Sequence, residues 1–134
     1  MTRKELVWRL DRLVSFYVRN SEKKCFTCGK VIPYYKRQAG HFIPRGVMKT
    51  RWLLENVHVQ CNHCNVELGG NLEVYKKKRD PKVLEFLQEY TELYNTGQLA
   101  APTEEEMLVM YDYMEQLIKQ SNFSHKPPEW LEED

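Results

Sequence analysis

The four cysteines have the spacing that points most directly to chemistry. They form two Cys-x-x-Cys pairs, Cys25/Cys28 and Cys61/Cys64, with 32 residues between the pairs. Each pair supplies two thiolates from one tight turn, and four thiolates in tetrahedral geometry satisfy one zinc ion. Four unconnected buried cysteines would not account for the doubled spacing. We therefore expect a structural zinc with no open coordination position for chemistry, and His63 is an alternative ligand.

A second set of reactive side chains lies between and beside these pairs. His41 occurs in AGHFIP, Asn56 and His58 occur in ENVHVQC, and Asn65 follows the last cysteine. An imidazole titrates near neutral pH and can take a proton from water. Amide oxygens suit a hard divalent cation such as Mg²⁺. Each residue also has a structural alternative: His41 as a core histidine, Asn56 as a turn residue and Asn65 as a helix cap.

The net charge of +1 conceals two halves of opposite sign. Residues 1–79 hold 17 Lys+Arg against 6 Asp+Glu, a net of +11, and residues 80–134 hold 3 against 13, a net of −10. Such asymmetry favours a half that binds a polyanion, although two differently solvated surfaces would produce it too. With 42% hydrophobic and 29% charged residues, the chain is typical of folded globular proteins.

Periodic apolar residues and capping signals predict helices separated by an irregular segment. The predicted helical segments are an amphipathic, basic helix over 2–19, a short helix from Cys61 to Gly69-Gly70, a helix capped by Asn71 through Arg79, a helix opened by Asp80-Pro81, and one opened by Thr103-x-x-Glu106. Two candidate strands, 38–43 and 57–60, flank a basic loop. We expect an N-terminal helix (1–20), a core (21–79) and an acidic helical extension (80–134) that frays from His125.

No apolar run approaches the roughly 18 residues of a membrane span. The N-terminus also lacks the apolar stretch and cleavage site of a signal peptide, and acidic residues stand among its basic ones. We therefore expect a cytoplasmic protein that does not enter a membrane.

The order of His41, Asn56 and Asn65 resembles the signature of the HNH, or ββα-metal, nuclease superfamily. The flanking cysteine pairs are similar to those of its zinc-bearing members, including phage endonuclease VII. A more specific likeness is to the NinG (Rap) recombination-protein family of lambdoid phages. The shared motifs are A-G-H-[FY]-x-x-R-G at 39–46, N-x-H-x-Q-C-x-x-C-N at 56–65 and G-N-x-x-x-Y at 70–75. The likeness spans roughly residues 25–79, outside the acidic C-terminal third.

This resemblance implies an α+β fold: a small zinc-bound ββα-metal core with an N-terminal helix and a C-terminal helical extension. It implies a metal-dependent endonuclease in which His41 activates water, Asn56 orients the loop that presents His41, and Mg²⁺ or Mn²⁺ on Asn65 stabilises the leaving group. The implied substrate is branched recombination DNA, such as a Holliday junction, in the cytoplasm of a phage's bacterial host. A two-fold junction suits a homodimer, for which the C-terminal helices are candidates.

One position departs from the superfamily pattern. Most metal-dependent relatives carry Asp before the catalytic His, whereas this chain has Gly40, as NinG-like sequences do. The expected catalytic cation then lacks a carboxylate ligand from this position. We rank His58 first as its replacement, because it lies two residues after Asn56 on the same side of a strand. Further candidates are Glu67, Asn71 and Glu73.

Gly40 also supports an interpretation without catalysis, a zinc-finger module that only binds nucleic acid. A further interpretation is a protein-interaction adaptor, in which zinc stabilises the fold and the acidic helices are the partner surface. Whether the chain is an endonuclease or a zinc-finger module, basic side chains suit contacts with nucleic-acid phosphates and would make binding depend strongly on salt concentration. Those in the loop beside the site are Arg45, Lys49 and Arg51, and those in the later run are Lys76, Lys77, Lys78 and Arg79. A solvated surface is the ordinary alternative for such a run.

Overall fold

The computed structural model describes residues 1–132. Within that range it contains an antiparallel two-stranded sheet and five α-helices, which confirms the α+β class. The strands are β1 (Gln38–His41) and β2 (Val57–Gln60). The helices are α1 (Arg3–Ser21), α2 (Leu72–Lys78), α3 (Pro81–Asn95), α4 (Glu104–Gln120) and α5 (Glu129–Glu132). No helix in the described range is long and apolar enough to cross a membrane.

Helix α1 supplies many of the buried side chains of the main hydrophobic core. Thr2 and Glu5 form a reciprocal capping box that satisfies the first free amides of the helix. Its apolar stripe packs against α4 and against β2. The buried residues in this contact are Leu6, Leu10, Leu13, Val57, Val59, Met107, Tyr111, Met114 and Ile118. The inner face of α4 is therefore used within the chain, and a dimer through the C-terminal helices would need other residues.

The register of the sheet decides which side chains share a face. Gly40 pairs with His58, and His41 pairs with Val57. Paired residues in an antiparallel sheet point to the same face, and successive residues alternate between faces. His41 and His58 therefore lie on opposite faces of the sheet.

The short helix predicted from Cys61 to Gly69-Gly70 is a π-helical turn, His63–Glu67, which contains Cys64. Three successive residues with positive φ end it: Gly69 (59°), Gly70 (99°) and Asn71 (49°). The two glycines supply this left-handed backbone without a steric cost. The predicted cap at Asn71 is wrong, because its amide donates to Cys64 Sγ at 3.7 Å and makes no side-chain cap to α2. π-Helical turns occur frequently at functional sites.

The later helices begin where the sequence predicts. Asp80 Oδ1 accepts from the Lys82 amide at 2.8 Å, with Pro81 as the first helical residue of α3. Thr103 and Glu106 form the expected capping box of α4. The tail differs from the prediction of fraying, because α5 packs Leu131 into the core at 1% exposure and stacks Trp130 near Tyr111. Residues 133–134 of that predicted tail lie outside the described range.

Candidate metal centre and active site

The two cysteine pairs come together where β2 meets the turn after Phe26. The four Sγ atoms all lie within 4.8 Å of one another, and Cys28 Sγ lies 3.9 Å from Cys61 Sγ. Zinc–sulfur bonds of about 2.3 Å give a tetrahedron with edges of about 3.8 Å. The cluster therefore fits one zinc ion. His63 lies outside the cluster, exposed to solvent and paired with Glu67.

The ionisation of these thiols also fits a cation. Burial acts to raise the pKa of Cys25, but the Thr27 hydroxyl and backbone amides outweigh it and lower the pKa to about 6. Burial and the neighbouring sulfurs raise the pKa of Cys61 to about 12. Four thiolates this close repel one another unless a divalent cation stabilises them. The four sulfurs therefore suit a structural zinc, whose binding would release the protons of the thiols.

A separate open cavity of about 490 Å³ brings together His41, Asn65 and Arg45. Its wall comes from the end of β1, the following loop, the π-helical turn and, unexpectedly, α1. The α1 residues are Asp11 and Ser15.

His41 is fixed in this wall through one ring nitrogen. Its Nε2 lies 3.0 Å from the backbone oxygen of Arg51. A carbonyl oxygen only accepts, so Nε2 carries the hydrogen and Nδ1 is the nitrogen left to take a proton. Burial lowers the pKa of His41; the Arg51 carbonyl and Asp11 oppose this shift, and the Arg45 and Arg51 charges add to it.

Asn56 ties the loop after His41 to the start of β2. It is fully buried, and its Nδ2 donates to the backbone oxygens of Ile43 (3.0 Å) and Thr50 (3.3 Å). Its Oδ1 accepts from the Ile43 amide at 2.8 Å, and its backbone oxygen accepts from the Phe42 amide at 2.9 Å. These are the contacts that an orienting role requires.

Replacement of Asn56 by Ala is expected to lower the free energy of unfolding by about 2–4 kcal/mol, since it leaves buried backbone groups of Ile43 and Thr50 without partners. Urea denaturation of the zinc-loaded protein measures this. Asn62→Ala is the matched control, because Asn62 is exposed and makes one side-chain contact, with Gln38. A loss for Asn56→Ala no larger than that of the control would contradict the bracing role.

Asn65 is oriented by a neighbouring amide. Its Nδ2 donates to Gln38 Oε1 at 2.8 Å, and the residue lines the His41 cavity. This contact fixes the plane of the amide and leaves Oδ1 as an oxygen ligand. The geometry suits a hard cation, which in proteins keeps several waters and few protein ligands.

Asp11 is the functional candidate that the sequence did not reveal. Its Oδ1 accepts from Arg51 Nε at 3.0 Å, and its Oδ2 accepts from Arg51 Nη2 at 2.6 Å. Oδ1 also accepts from Trp52 Nε1 at 2.8 Å. Arg51 in turn holds His41 through its backbone oxygen. The guanidinium of Arg51 is thus held by Asp11, and this argues against its predicted role as a free phosphate contact. The available signal was that Asp11 is the acid in the middle of this basic helix, whose other acid, Glu5, belongs to the capping box.

His58 does not reach the cavity. On the opposite sheet face, its Nδ1 lies 2.6 Å from Glu22 Oε2, and its ring stacks on Phe26 with centroids 4.0 Å apart. The strand register therefore corrects the prediction that His58 faces His41 as a cation ligand. The other proposed replacements are also absent from the cavity wall: Glu67 pairs with His63, Asn71 donates to Cys64, and Glu73 is exposed on α2.

A side chain at position 40 would meet a buried neighbour. A Cβ at this position would overlap Gln60 Oε1 and lie 2.6 Å from its Cδ. Gln60 is fully buried and held by donation from Nε2 to Thr27 Oγ1 (3.1 Å) and to the Gly70 backbone oxygen (2.8 Å). Gln60 thus fills the space that an aspartate at position 40 would enter.

Gly40→Ala is accordingly expected to cost about 1–3 kcal/mol of unfolding free energy through overpacking. Gly46→Ala provides the control, because a Cβ there meets nothing within 4 Å. Thermal and urea unfolding of both variants measure the difference. Equal stability of the two would show that Gln60 moves aside without cost.

The remaining predicted phosphate contacts differ in exposure. Arg45 is exposed and lines the cavity, whereas Lys49 is half-buried and does not line it. The three lysines of the later run, Lys76, Lys77 and Lys78, are exposed on α2. Arg79 is only 7% exposed, with its guanidinium 5.6 Å from the ring centre of Tyr75, and burial lowers its pKa. Its burial contradicts the predicted surface contact.

Comparison with known proteins identifies one family. Residues 2–98 match the family model described as Bacteriophage Lambda NinG protein. The match covers α1, the sheet, the cysteine cluster, the π-helical turn, α2 and α3, and so extends beyond the expected range of 25–79 at both ends. No match was found among curated proteins or among solved structures.

Proposed function

The chain belongs to the family of the bacteriophage lambda NinG protein, and from this membership and the cavity geometry we propose that it is a metal-dependent DNA endonuclease of the HNH (ββα-metal) type. We further propose that it acts on branched recombination intermediates in the host cytoplasm, which is the substrate implied by the resemblance of its sequence motifs to the NinG family and to endonuclease VII. One observation carries the proposal: His41 is held through Nε2 by a backbone carbonyl, in a cavity that it shares with Asn65 and Arg45.

In the proposed reaction, His41 Nδ1 takes a proton from a water molecule. The water oxygen forms a bond to the phosphorus of the scissile phosphodiester, and the bond from phosphorus to the 3′ oxygen breaks. The products are a 5′-phosphate and a 3′-hydroxyl, whose oxygen takes its proton from solvent water as it leaves. Arg45, exposed on the cavity wall, is placed to bind a phosphate oxygen through charge-assisted hydrogen bonds.

Asn65 is the proposed protein ligand of the catalytic cation. Bound Mg²⁺ or Mn²⁺ would neutralise phosphate charge and stabilise the leaving oxygen. Gln38 holds the amide so that Oδ1 remains available. The structural zinc has a separate role, which is to close the chain between residues 25 and 64 around the site.

Asp11 is a proposed positioning residue. It fixes the Arg51 guanidinium through two contacts, and the Arg51 backbone oxygen fixes the imidazole. Through Asp11, the N-terminal helix therefore supports the catalytic base.

The pH dependence follows from the environment of His41. A general base must be neutral, and burial lowers the pKa of His41, so the acid limb of the kcat/KM profile is expected below the ordinary imidazole value of about 6.5. Asp11→Asn removes a charge that raises this pKa, so the limb should move to still lower pH while kcat falls. Pre-steady-state and steady-state rates from pH 5 to 8 measure both effects.

Asp112→Asn supplies the control, because Asp112 is an exposed acid on α4. Its profile should overlay that of the wild type. If the acid limb of the Asp11→Asn profile stays at the wild-type pH while kcat falls, Asp11 has only a structural role.

The proposed activity is tested on a panel of DNAs with the zinc-loaded protein: a four-way junction, a flap, a tailed duplex and a blunt duplex. Cutting is expected only after Mg²⁺ or Mn²⁺ is added, with the branched forms cut fastest. If no form is cut with either ion although zinc is bound and the protein is folded, the endonuclease proposal fails.

The second candidate is a zinc-bound module that binds nucleic acid without cutting it. The observation favouring it is that Gln60 fills the space that a carboxylate at position 40 would occupy. Tight binding of the same DNAs without cleavage would identify this alternative.

A homodimer remains part of the proposal for two-fold junctions. Because the inner face of α4 packs on α1, the dimer contact would use its exposed apolar side chains, Val109 and Tyr113, which are 70% and 60% exposed. Sedimentation velocity with and without a junction measures the oligomeric state.

A further inference from the structure

A second groove, of about 650 Å³, has one wall residue in common with the His41 cavity. The two share Ser15 as a wall residue. One stripe of α1 forms its floor: Trp8, Arg12, Ser15 and Arg19. The opposite wall is formed by Tyr34 and by residues 126–130. We call this feature the α1 groove; its floor is roughly 16 Å long at 1.5 Å per helical residue.

The groove combines positive charge with aromatic rings. Its cationic residues are Arg12, Arg19 and Lys126, against one acid, Glu129. The Arg12 guanidinium lies 3.7 Å from the ring centre of Trp8, and that of Arg19 lies 5.3 Å from the ring centre of Tyr34. Arg19 Nε also donates to Ser15 Oγ at 2.9 Å. The guanidinium groups are therefore held along the groove before any ligand binds.

This combination fits a nucleic-acid strand with unpaired bases. Guanidinium groups bind phosphates, whereas aromatic rings and guanidinium planes stack on bases, which in a duplex are already stacked. Trp8 is 45% exposed and Arg12 is also exposed, so both can be reached from solvent. A purely phosphate-binding surface would not need the aromatic half.

We propose that the α1 groove binds an unpaired DNA strand that continues from the scissile phosphate in the His41 cavity. The inference rests on the proposed endonuclease function and specifies its substrate: DNA with a single-stranded arm next to the cut. Ser15 lines both the cavity and the groove, so a strand that leaves the cavity past Ser15 would meet the basic and aromatic stripe of α1.

The test compares two DNAs, a blunt duplex and the same duplex with a single-stranded tail, by fluorescence anisotropy without catalytic cation. The wild type is expected to bind the tailed DNA at least tenfold more tightly. Arg12→Ala/Arg19→Ala should weaken binding of the tailed DNA by about 10–100-fold and that of the blunt duplex by less than about threefold. The slope of log K against log salt for the tailed DNA should fall by about 1.4, for two lost single-strand phosphate contacts.

Three further variants separate charge, stacking and folding. Lys30→Ala/Lys82→Ala removes the same charge from exposed positions that do not line the groove, and it should keep the tail preference. Trp8→Ala should lose most of the preference, and Trp8→Phe should restore part of it. Unchanged circular dichroism and zinc content confirm that each variant is folded.

Several outcomes would overturn the inference. The first is that the double arginine variant loses the same amount of affinity for the blunt and the tailed DNA. The second is that the lysine control loses the preference for the tailed DNA. The third is that the wild type binds an RNA tail or an acidic peptide more tightly than the DNA tail. Cleavage of the same DNAs separates the two proposals. If the wild type cuts DNA but shows no groove-dependent preference, only the groove proposal fails; if it cuts nothing, the endonuclease proposal fails whatever the binding shows.

Discussion

A His41→Ala protein is expected to bind branched DNA with wild-type affinity and to cut it about 10²–10⁴-fold more slowly, the usual contribution of a positioned general base. The proposed role uses only the imidazole, whose Nε2 is held by the Arg51 carbonyl. No other histidine in the described range lines that cavity, so nothing nearby can substitute. Single-turnover cleavage and anisotropy on the same junction measure the rate and the affinity separately.

His58→Ala is the matched control, since it removes a histidine from the adjacent strand but from the opposite sheet face. It should retain most of the cleavage rate, although it loses the contact with Glu22. If His41→Ala keeps more than a tenth of the wild-type rate, or if both variants lose activity equally, His41 is not the base.

Replacement of Cys25 by Ser is expected to abolish stoichiometric zinc binding and to unfold the core. Cys25 is 2% exposed and belongs to the four-sulfur cluster that joins the two cysteine pairs. Structural zinc sites contribute roughly 10–16 kcal/mol, which is at least as large as the typical stability of about 5–15 kcal/mol of a whole domain. Metal analysis and thermal unfolding measure the two losses.

His63→Ala is the control here, because His63 lies within the second Cys-x-x-Cys pair but outside the cluster. It should keep one zinc per chain and an unchanged melting temperature. A folded, active Cys25→Ser protein without zinc would refute the structural role of the metal.

The features that sequence alone predicted depend on neighbours in the chain. The capping box of Thr103 and Glu106, the Asp80-Pro81 helix start and each single Cys-x-x-Cys pair lie within a few residues, where local geometry decides the outcome. The sheet and its approximate bounds also followed, because glycine and proline residues limit the strands. These local signals predicted helices and strands, whereas the α+β fold was implied by the family resemblance.

The features that sequence missed depend on register and on distant contacts. A shift of one residue in strand pairing reverses the face of a side chain, and this is why His58 faces Glu22 instead of the cavity. Asp11 meets Arg51 across 40 residues, a contact that no local pattern encodes. The burial of Arg79 likewise depends on packing against Phe42 and Tyr75.

The close fit of Gly40 and Gln60 restricts the order in which substitutions at these two positions can occur in related proteins. A single-base change from a glycine codon to an aspartate codon at position 40 would place a side chain on Gln60 and lose stability before any metal ligand was gained. The tolerated route passes first through a smaller residue at position 60. Related sequences should therefore show linked variation at these two sites: Gly with Gln, or Asp with a small side chain, and rarely Asp with Gln.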